Sequence, residues 1–207
     1  MQKALVELIG TFFLVLVVGL TVIAPGAGDM APLAIGAILM VMVYAGGPIS
    51  GGHYNPAVTL AVWLRGKCKT KDVPSYMSAQ VLGAMLAAML VGLCKRHSDA
   101  SPFAPQVLPA LLVELLFTFA LAFVVLNVAT SKKSAGNSYF GLAIGMTVMA
   151  AAYAGGGISG GAFNPAVAIG MTLMGLSSVG SLWIFLVANL AGGTLAACVF
   201  RLVNPDE

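Results

Sequence analysis

The chain has 207 residues, of which 10 are Lys or Arg and 7 are Asp or Glu, so only 8% of them are charged. Soluble domains carry about 25% charged residues, and the mean hydropathy here is +0.99. These values exclude a water-soluble enzyme, and a net charge of +3 gives no reason to expect a nucleic-acid partner. Three isolated cysteines indicate neither a disulfide framework nor a zinc site, so no metal or cofactor is expected. The composition predicts an all-α membrane protein.

Six stretches are apolar and long enough to cross a bilayer, two of them after extension into glycine-rich ends. In chain order they are 4–23, 32–44, 74–93, 107–130, 139–153 and 179–203. Two further apolar segments, 55–64 and 164–173, have about ten residues each, or roughly 15 Å of helix. Because the hydrocarbon core is about 30 Å thick, each of these segments can reach only halfway across.

The basic residues are distributed unevenly between the two faces that six spans create. Two of them, Lys95 and Arg96, fall on one face. The other eight share the face of the termini: Lys3, Arg65, Lys67, Lys69, Lys71, Lys132, Lys133 and Arg201. The positive-inside rule therefore predicts cytoplasmic termini in a multi-pass protein of the cell membrane.

The strongest internal pattern is a repeat. Residues 44–58 read YAGGPISGGHYNPAV and residues 153–167 read YAGGGISGGAFNPAV, which differ at three positions. The same offset relates Gly36 to Gly145, and an offset shorter by two relates Glu7 to Glu114. We therefore predict one domain over 1–207 built from two repeats, 1–97 and 105–207. Each repeat has three spans, an odd number, so the second is expected to lie inverted in the membrane.

The inversion makes the two half-spans enter from opposite faces and meet near the bilayer midplane. Asn55 and Asn164 begin these half-spans, and each is followed by proline, a favourable first helical residue. The Asn oxygen caps its helix, which leaves the amide donors free to bind a passing oxygen atom. Each helix N-terminus also carries about half a positive charge, which repels cations. The motif residues are Asn55, Pro56, Ala57, Asn164, Pro165 and Ala166.

A glycine-rich approach precedes each motif. Its residues are Gly51, Gly52 and His53 in the first copy and Gly160, Gly161 and Ala162 in the second. Small side chains allow the carbonyl oxygens to face a water-filled lumen, which non-helical backbone at membrane depth requires. A structural loop packed inside the protein is the alternative. His53 fits either loop packing or a pore-lining, pH-sensing position.

The SGGHYNPAV and SGGAFNPAV motifs, the six spans and the inverted repeat together resemble the aquaporin, or major intrinsic protein, family of water and small-solute channels. The resemblance covers essentially the full chain. It implies a right-handed bundle, a homotetramer with one pore per subunit, and half-helices that meet at the two motif asparagines. It also implies that Glu7 and Glu114 are buried structural carboxylates that anchor the re-entrant loops. A proton relay through them is the alternative, because intramembrane carboxylates are often functional.

The chain departs from this family at the narrowest ring of the pore. Water channels of the family usually have Arg three residues after the second motif Asn, but this chain has Val167. By the family's spacings the other ring positions are Ile35, Ala152 and Gly161, so the usual aromatic and His are replaced as well. The filter is expected to be wide and apolar, with weaker exclusion of ions. No Cys directly precedes the second motif, so weak block by mercurials is expected.

These features predict a passive channel for water and small neutral solutes such as glycerol, urea, ammonia, hydrogen peroxide or metalloid hydroxides. An ion-coupled secondary transporter is the alternative, since such proteins also have inverted repeats and broken helices. A non-conducting junction protein is a further alternative. An enzyme is not expected, because the chain has no nucleophile–base pair, metal-ligand cluster or phosphate-binding loop motif.

Overall fold

The computed structural model describes residues 1–95 and 101–207, so Arg96 lies outside the described residues. Eight α-helices occupy this part of the chain. They are α1 Gln2–Val22, α2 Ala31–Ser50, α3 Pro56–Leu64, α4 Val73–Cys94, α5 Val107–Val125, α6 Phe140–Ser159, α7 Pro165–Leu173 and α8 Leu182–Val203. Six of them, with their flanking turns, are long and apolar enough to cross a membrane, whereas α3 and α7 have nine residues each. The predicted all-α fold with six spans and two half-length helices is confirmed.

The helices α2 and α6 include the glycine-rich ends of the predicted spans. Each stops where a glycine takes a left-handed conformation, Gly51 at φ 97° and Gly160 at φ 98°. A residue with a side chain is strained in this conformation, so glycine is suited to ending the helix there. The chain then turns back into the protein and begins the short helix that follows.

Close helix crossings hold the bundle together. The most extensive packing joins α1 to α4, α5 to α8 and α2 to α6. At the α2–α6 crossing, a Cβ atom on Gly145 would lie 2.5 Å from the Gly36 carbonyl oxygen. A Cβ atom on Gly83 would lie equally close to Leu8 O in α4–α1, and one on Gly192 to Leu115 O in α8–α5. Small residues therefore set the helix spacing, because larger ones would force the backbones apart.

The face that carries the chain's end is tied together by an ion pair. Glu207 accepts hydrogen bonds from Ser131 Oγ at 2.6 Å and from the Lys132 N–H at 2.9 Å. It also pairs with Arg65 Nη2 at 3.1 Å, and the Arg65 guanidinium lies 4.8 Å from the centre of the Phe200 ring. The hydrogen bonds from Ser131 and from the Lys132 backbone, together with the Arg65 charge, lower the pKa of Glu207 to about 2. The segments that follow α3, α5 and α8 are thus joined at Glu207.

Candidate functional site: the meeting point of two half-helices

The short helices α3 and α7 begin in the same way. Asn55 Oδ1 accepts a hydrogen bond from the Ala57 N–H at 2.8 Å, and Asn164 Oδ1 accepts one from the Ala166 N–H at 2.9 Å. Proline occupies the first helical position of both, where its missing N–H costs nothing. The cap uses the side-chain oxygen of each asparagine and leaves its amide NH2 group for other partners.

Those NH2 groups connect the two re-entrant loops. Asn55 Nδ2 donates to Phe163 O at 2.9 Å, and Asn164 Nδ2 donates to Tyr54 O at 2.8 Å. Each asparagine thus binds the carbonyl of the residue that precedes the other one. The reciprocal pair brings the positive ends of α3 and α7 together in the protein interior, and each NH2 group retains one further hydrogen.

The residue before each asparagine has an uncommon backbone conformation. Tyr54 has φ 49° and Phe163 has φ 47°, in the left-handed region that non-glycine residues rarely adopt. Such a conformation costs on the order of 1–3 kcal/mol and persists where surrounding contacts hold it. Here a carboxylate holds it: Glu7 Oε2 accepts from the Tyr54 N–H, and Glu114 Oε2 accepts from the Phe163 N–H, both at 2.7 Å.

The same two carboxylates bind the rest of each loop. Glu7 Oε1 accepts from Ser50 Oγ at 2.7 Å and from the His53 N–H at 3.0 Å. Glu114 Oε1 has matching partners, Ser159 Oγ at 2.7 Å and the Ala162 N–H at 3.0 Å. Both glutamates are fully buried. Loop donors therefore compensate for the loss of water around each carboxylate, and the loops are fixed in the geometry that the asparagine pair requires.

A cavity of about 420 Å³ passes the asparagine pair. It extends from the Asp29–Pro32 segment at one end, past Asn55 and Asn164, to Gly52 and His53 at the other. Its wall is mainly apolar, formed by side chains of α1, α2, α5 and α6. The predicted carbonyl residues Gly52, His53, Gly160, Gly161 and Ala162 line it, whereas Gly51 lines a second cavity of about 510 Å³.

All four predicted filter residues line the same cavity as the asparagine pair: Ile35, Ala152, Gly161 and Val167. They come from α2, α6, the second loop and α7. None of these residue types has a side-chain hydrogen-bond donor, so polar contacts at this level must come from backbone groups. The four motif residues Pro56, Ala57, Pro165 and Ala166 are buried and are not lining residues in the described part of the chain.

His53 is packed within the first re-entrant loop, and its pH-sensing role stays a prediction. Its Nδ1 lies 3.1 Å from Thr59 Oγ1, and its ring packs edge-on against Tyr76 at 5.2 Å. It also lines the cavity next to Gly52. The ring is therefore packed within the loop, and the residue contributes to the cavity wall.

Tyr54 and Phe163 each occupy the position before a motif asparagine, but no pattern in the sequence indicates their role. Their left-handed backbone and acceptor carbonyls emerge only from the folded loops. The repeat also places an aromatic residue at this cavity, Tyr153, the equivalent of Tyr44 in the first copy. That side chain is 53% exposed and lines the mouth of the cavity.

Comparison with known proteins agrees with this geometry. A family model described as major intrinsic protein matches residues 1–200. The chain belongs to the major intrinsic protein family. A protein named glycerol uptake facilitator protein-like 6, from Lactiplantibacillus plantarum, is 36% identical over the full length of both chains. A probable NIP-type aquaporin from Nicotiana alata is 34% identical, over 100% of this chain and 79% of its own length.

The fold has a solved counterpart as well. An aquaglyceroporin from Plasmodium falciparum superposes with a TM-score of 0.81, over 99% of this chain and 97% of its own, at 20% sequence identity. At this identity the likeness concerns the fold. Family membership and six spanning helices make this an integral, multi-pass membrane protein of a family of passive channels for water and small solutes.

Proposed function

We propose that this major intrinsic protein passively conducts water and at least one larger neutral solute through the cavity beside Asn55 and Asn164. Glycerol, urea, ammonia, hydrogen peroxide and metalloid hydroxides are the candidate solutes. The relatives named as a glycerol facilitator and a NIP-type aquaporin support a solute range of this kind.

One observation carries the proposal on solute size. The four residues at the filter positions line one cavity, and all have small or apolar side chains. An arginine in place of Val167 would add a bulky, charged fork of donors to this ring. With Val167 in place of an arginine, the ring is wider than it would be with that side chain and lacks the donor that orients water. A polyol or urea therefore meets less steric resistance.

The asparagine pair is the proposed polar contact at the centre of the pore. Each amide has one hydrogen that is not used in the reciprocal bonds to Tyr54 O and Phe163 O. A neutral oxygen atom in the lumen can accept it, while unpaired carbonyls of the glycine-rich loops accept hydrogens from the solute. The positive ends of α3 and α7 oppose the passage of cations at the same level.

The test is a solute panel on proteoliposomes by stopped-flow light scattering, with wild type, Val167→Arg and Val167→Met. We expect wild type to conduct glycerol or urea as well as water. Arg should suppress the larger solutes and leave water flow measurable. Met matches the length of the Arg stem without its charge, so it separates narrowing from electrostatics. Wild-type vesicles that conduct water but neither glycerol nor urea would contradict the wide-filter proposal.

Assembly and orientation complete the proposal. We infer a homotetramer with one pore in each subunit, and both termini in the cytoplasm of a cell whose plasma membrane holds the protein. We also infer one channel domain with inverted repeats 1–97 and 105–207. The eight basic residues predicted on the termini side support the orientation. Measuring the mass of the protein in detergent tests the tetramer. To test the topology, a tag is placed at the C-terminus of the protein, and its access to protease is measured in right-side-out vesicles.

A further inference from the structure

The face that carries the end of the chain has a cavity of its own, which we call the inner mouth. Its volume is about 510 Å³. The end of α2, the π-helical turn Leu126–Thr130 and the loop that follows it form its walls. Two charged residues are among its lining residues, Lys67 after α3 and Lys132 in the loop.

The inner mouth adjoins the cavity at the asparagine pair. Gly51 lines the inner mouth, and the next residue, Gly52, lines the asparagine cavity. Along the neighbouring wall, Val125 lines the asparagine cavity and Val128, three residues later, lines the inner mouth. On both walls, residues that line the two cavities are near neighbours along the chain, which places the inner mouth next to the asparagine cavity on this face.

The charged residues that line the inner mouth are both basic. Its lining residues include no Asp or Glu within the ranges 1–95 and 101–207. Glu207 reaches the wall through the Lys132 backbone N–H, but its carboxylate is paired with Arg65. The ammonium charges of Lys67 and Lys132 are thus left without a compensating carboxylate among the lining residues.

The opposite end of the passage differs in the charge of its lining residues. Val167 occupies the ring position at which the family's water channels usually place an arginine, and the acidic Asp29 lines the cavity near that end. Among the residues that the structure describes, the basic ones that line the passage, Lys67 and Lys132, are both at the inner mouth. We propose that Lys67 and Lys132 determine charge selectivity by repelling cations there. The inference rests on the proposed pore and adds to it the residues that exclude cations.

The size of the effect follows from the dimensions of the inner mouth. A cavity of this volume places wall charges about 8 Å from its centre, close to the Debye length at 0.15 M salt. In water, two such charges lower the local cation concentration about two-fold at 0.15 M and about four-fold at 0.01 M, and they raise the anion concentration by the same factors.

The experiment measures the ratio of K⁺ to Cl⁻ permeability from reversal potentials in planar bilayers under a KCl gradient. This ratio does not depend on the number of channels. Replacing both lysines by Gln should raise it about four-fold at 0.15 M salt, and replacing both by Glu about 16-fold, with larger changes at low salt. The paired Arg replacements keep the charge and should retain the wild-type ratio.

Lys69 and Lys71 provide the matched control, because they lie on the same face but are not lining residues of the inner mouth. Their double replacement by Gln removes two charges from the chain and should change the ratio by well under about two-fold. Equal ratios in the Gln, Glu and wild-type proteins would overturn the inference, as would the absence of measurable current in all of them. Water and glycerol flux, recorded on vesicles of each variant, tests the proposed pore separately.

Discussion

The carboxylate of Glu114 offers the most direct test of how the second re-entrant loop is held. It accepts hydrogen bonds from Ser159 Oγ and from the backbone N–H groups of Ala162 and Phe163. Replacing it by Gln keeps the side-chain size and one acceptor oxygen but places an NH2 group against a donor. Replacing it by Ala removes all three acceptor contacts in a site that water does not reach.

The expected magnitudes follow from these contacts. A buried donor left without an acceptor costs about 1–3 kcal/mol. Glu114→Gln leaves one donor unsatisfied and should destabilise the protein by about 1–3 kcal/mol, whereas Glu114→Ala leaves three and should cost about 3–9 kcal/mol. At about 2–4 °C per kcal/mol for a chain of this size, the Gln variant should melt about 2–12 °C lower.

The loop geometry also predicts a functional effect. Phe163 keeps its left-handed conformation through Glu114, and its carbonyl binds Asn55 Nδ2. Loosening this residue should therefore lower solute and water flux together, without a change in the order of solutes. Thermal unfolding in detergent and stopped-flow flux would measure both effects.

The exposed Asp206 supplies the control, since Asp206→Asn makes the same carboxylate-to-amide change on the surface. A Glu114→Gln protein that melts within 1 °C of this control and conducts like wild type would refute the anchoring role.

Three further predictions concern helix packing, the ion pair of Glu207 and the positions of the cysteines. Gly145→Ala should destabilise the protein by about 1–3 kcal/mol or prevent its folding, because the new Cβ meets a backbone oxygen. Gly156→Ala, where a Cβ meets no atom within 4 Å, is the control in the same melting assay. The pKa of Glu207, about 2, lies below its usual value near 4.5, so its stabilisation is complete above about pH 4.5 and is lost as the pH falls towards 2. The difference in melting temperature between wild type and Glu207→Gln should shrink over that window, and a constant difference would refute the assignment. Mercury(II) chloride should leave water flux nearly unchanged, because within the described residues none of the three cysteines lines either cavity: Cys68, Cys94 and Cys198. Strong block reversed by a thiol would show this to be wrong.

The helices could be predicted from the sequence because hydropathy and length are local properties. Lipid requires about 20 apolar residues for a span, and the six predicted stretches correspond to six helices. The half-length helices after Asn55 and Asn164 were also predictable, since Asn–Pro marks a helix start and the apolar run is too short to cross. The filter residues were located by the family's spacings, and their roles remain predictions.

Contacts between distant segments could not be predicted from such local properties of the sequence. The reciprocal bonds of Asn55 and Asn164 join residues more than 100 positions apart, and they use hydrogens that the local motif leaves unassigned. The ion pair of Arg65 with Glu207 likewise depends on how the end of α8 lies against the residues after α3. No periodicity marks either contact.

Residue type and spacing along the chain are enough to predict six membrane spans, an internal repeat and two Asn–Pro helix starts. The tertiary structure alone decided that Tyr54 and Phe163 adopt left-handed backbone held by buried carboxylates. It also decided that Lys67 and Lys132 share the wall of one cavity. The physical reason is the same in both cases: these features arise from groups on separate helices and loops, which meet only when the chain packs together.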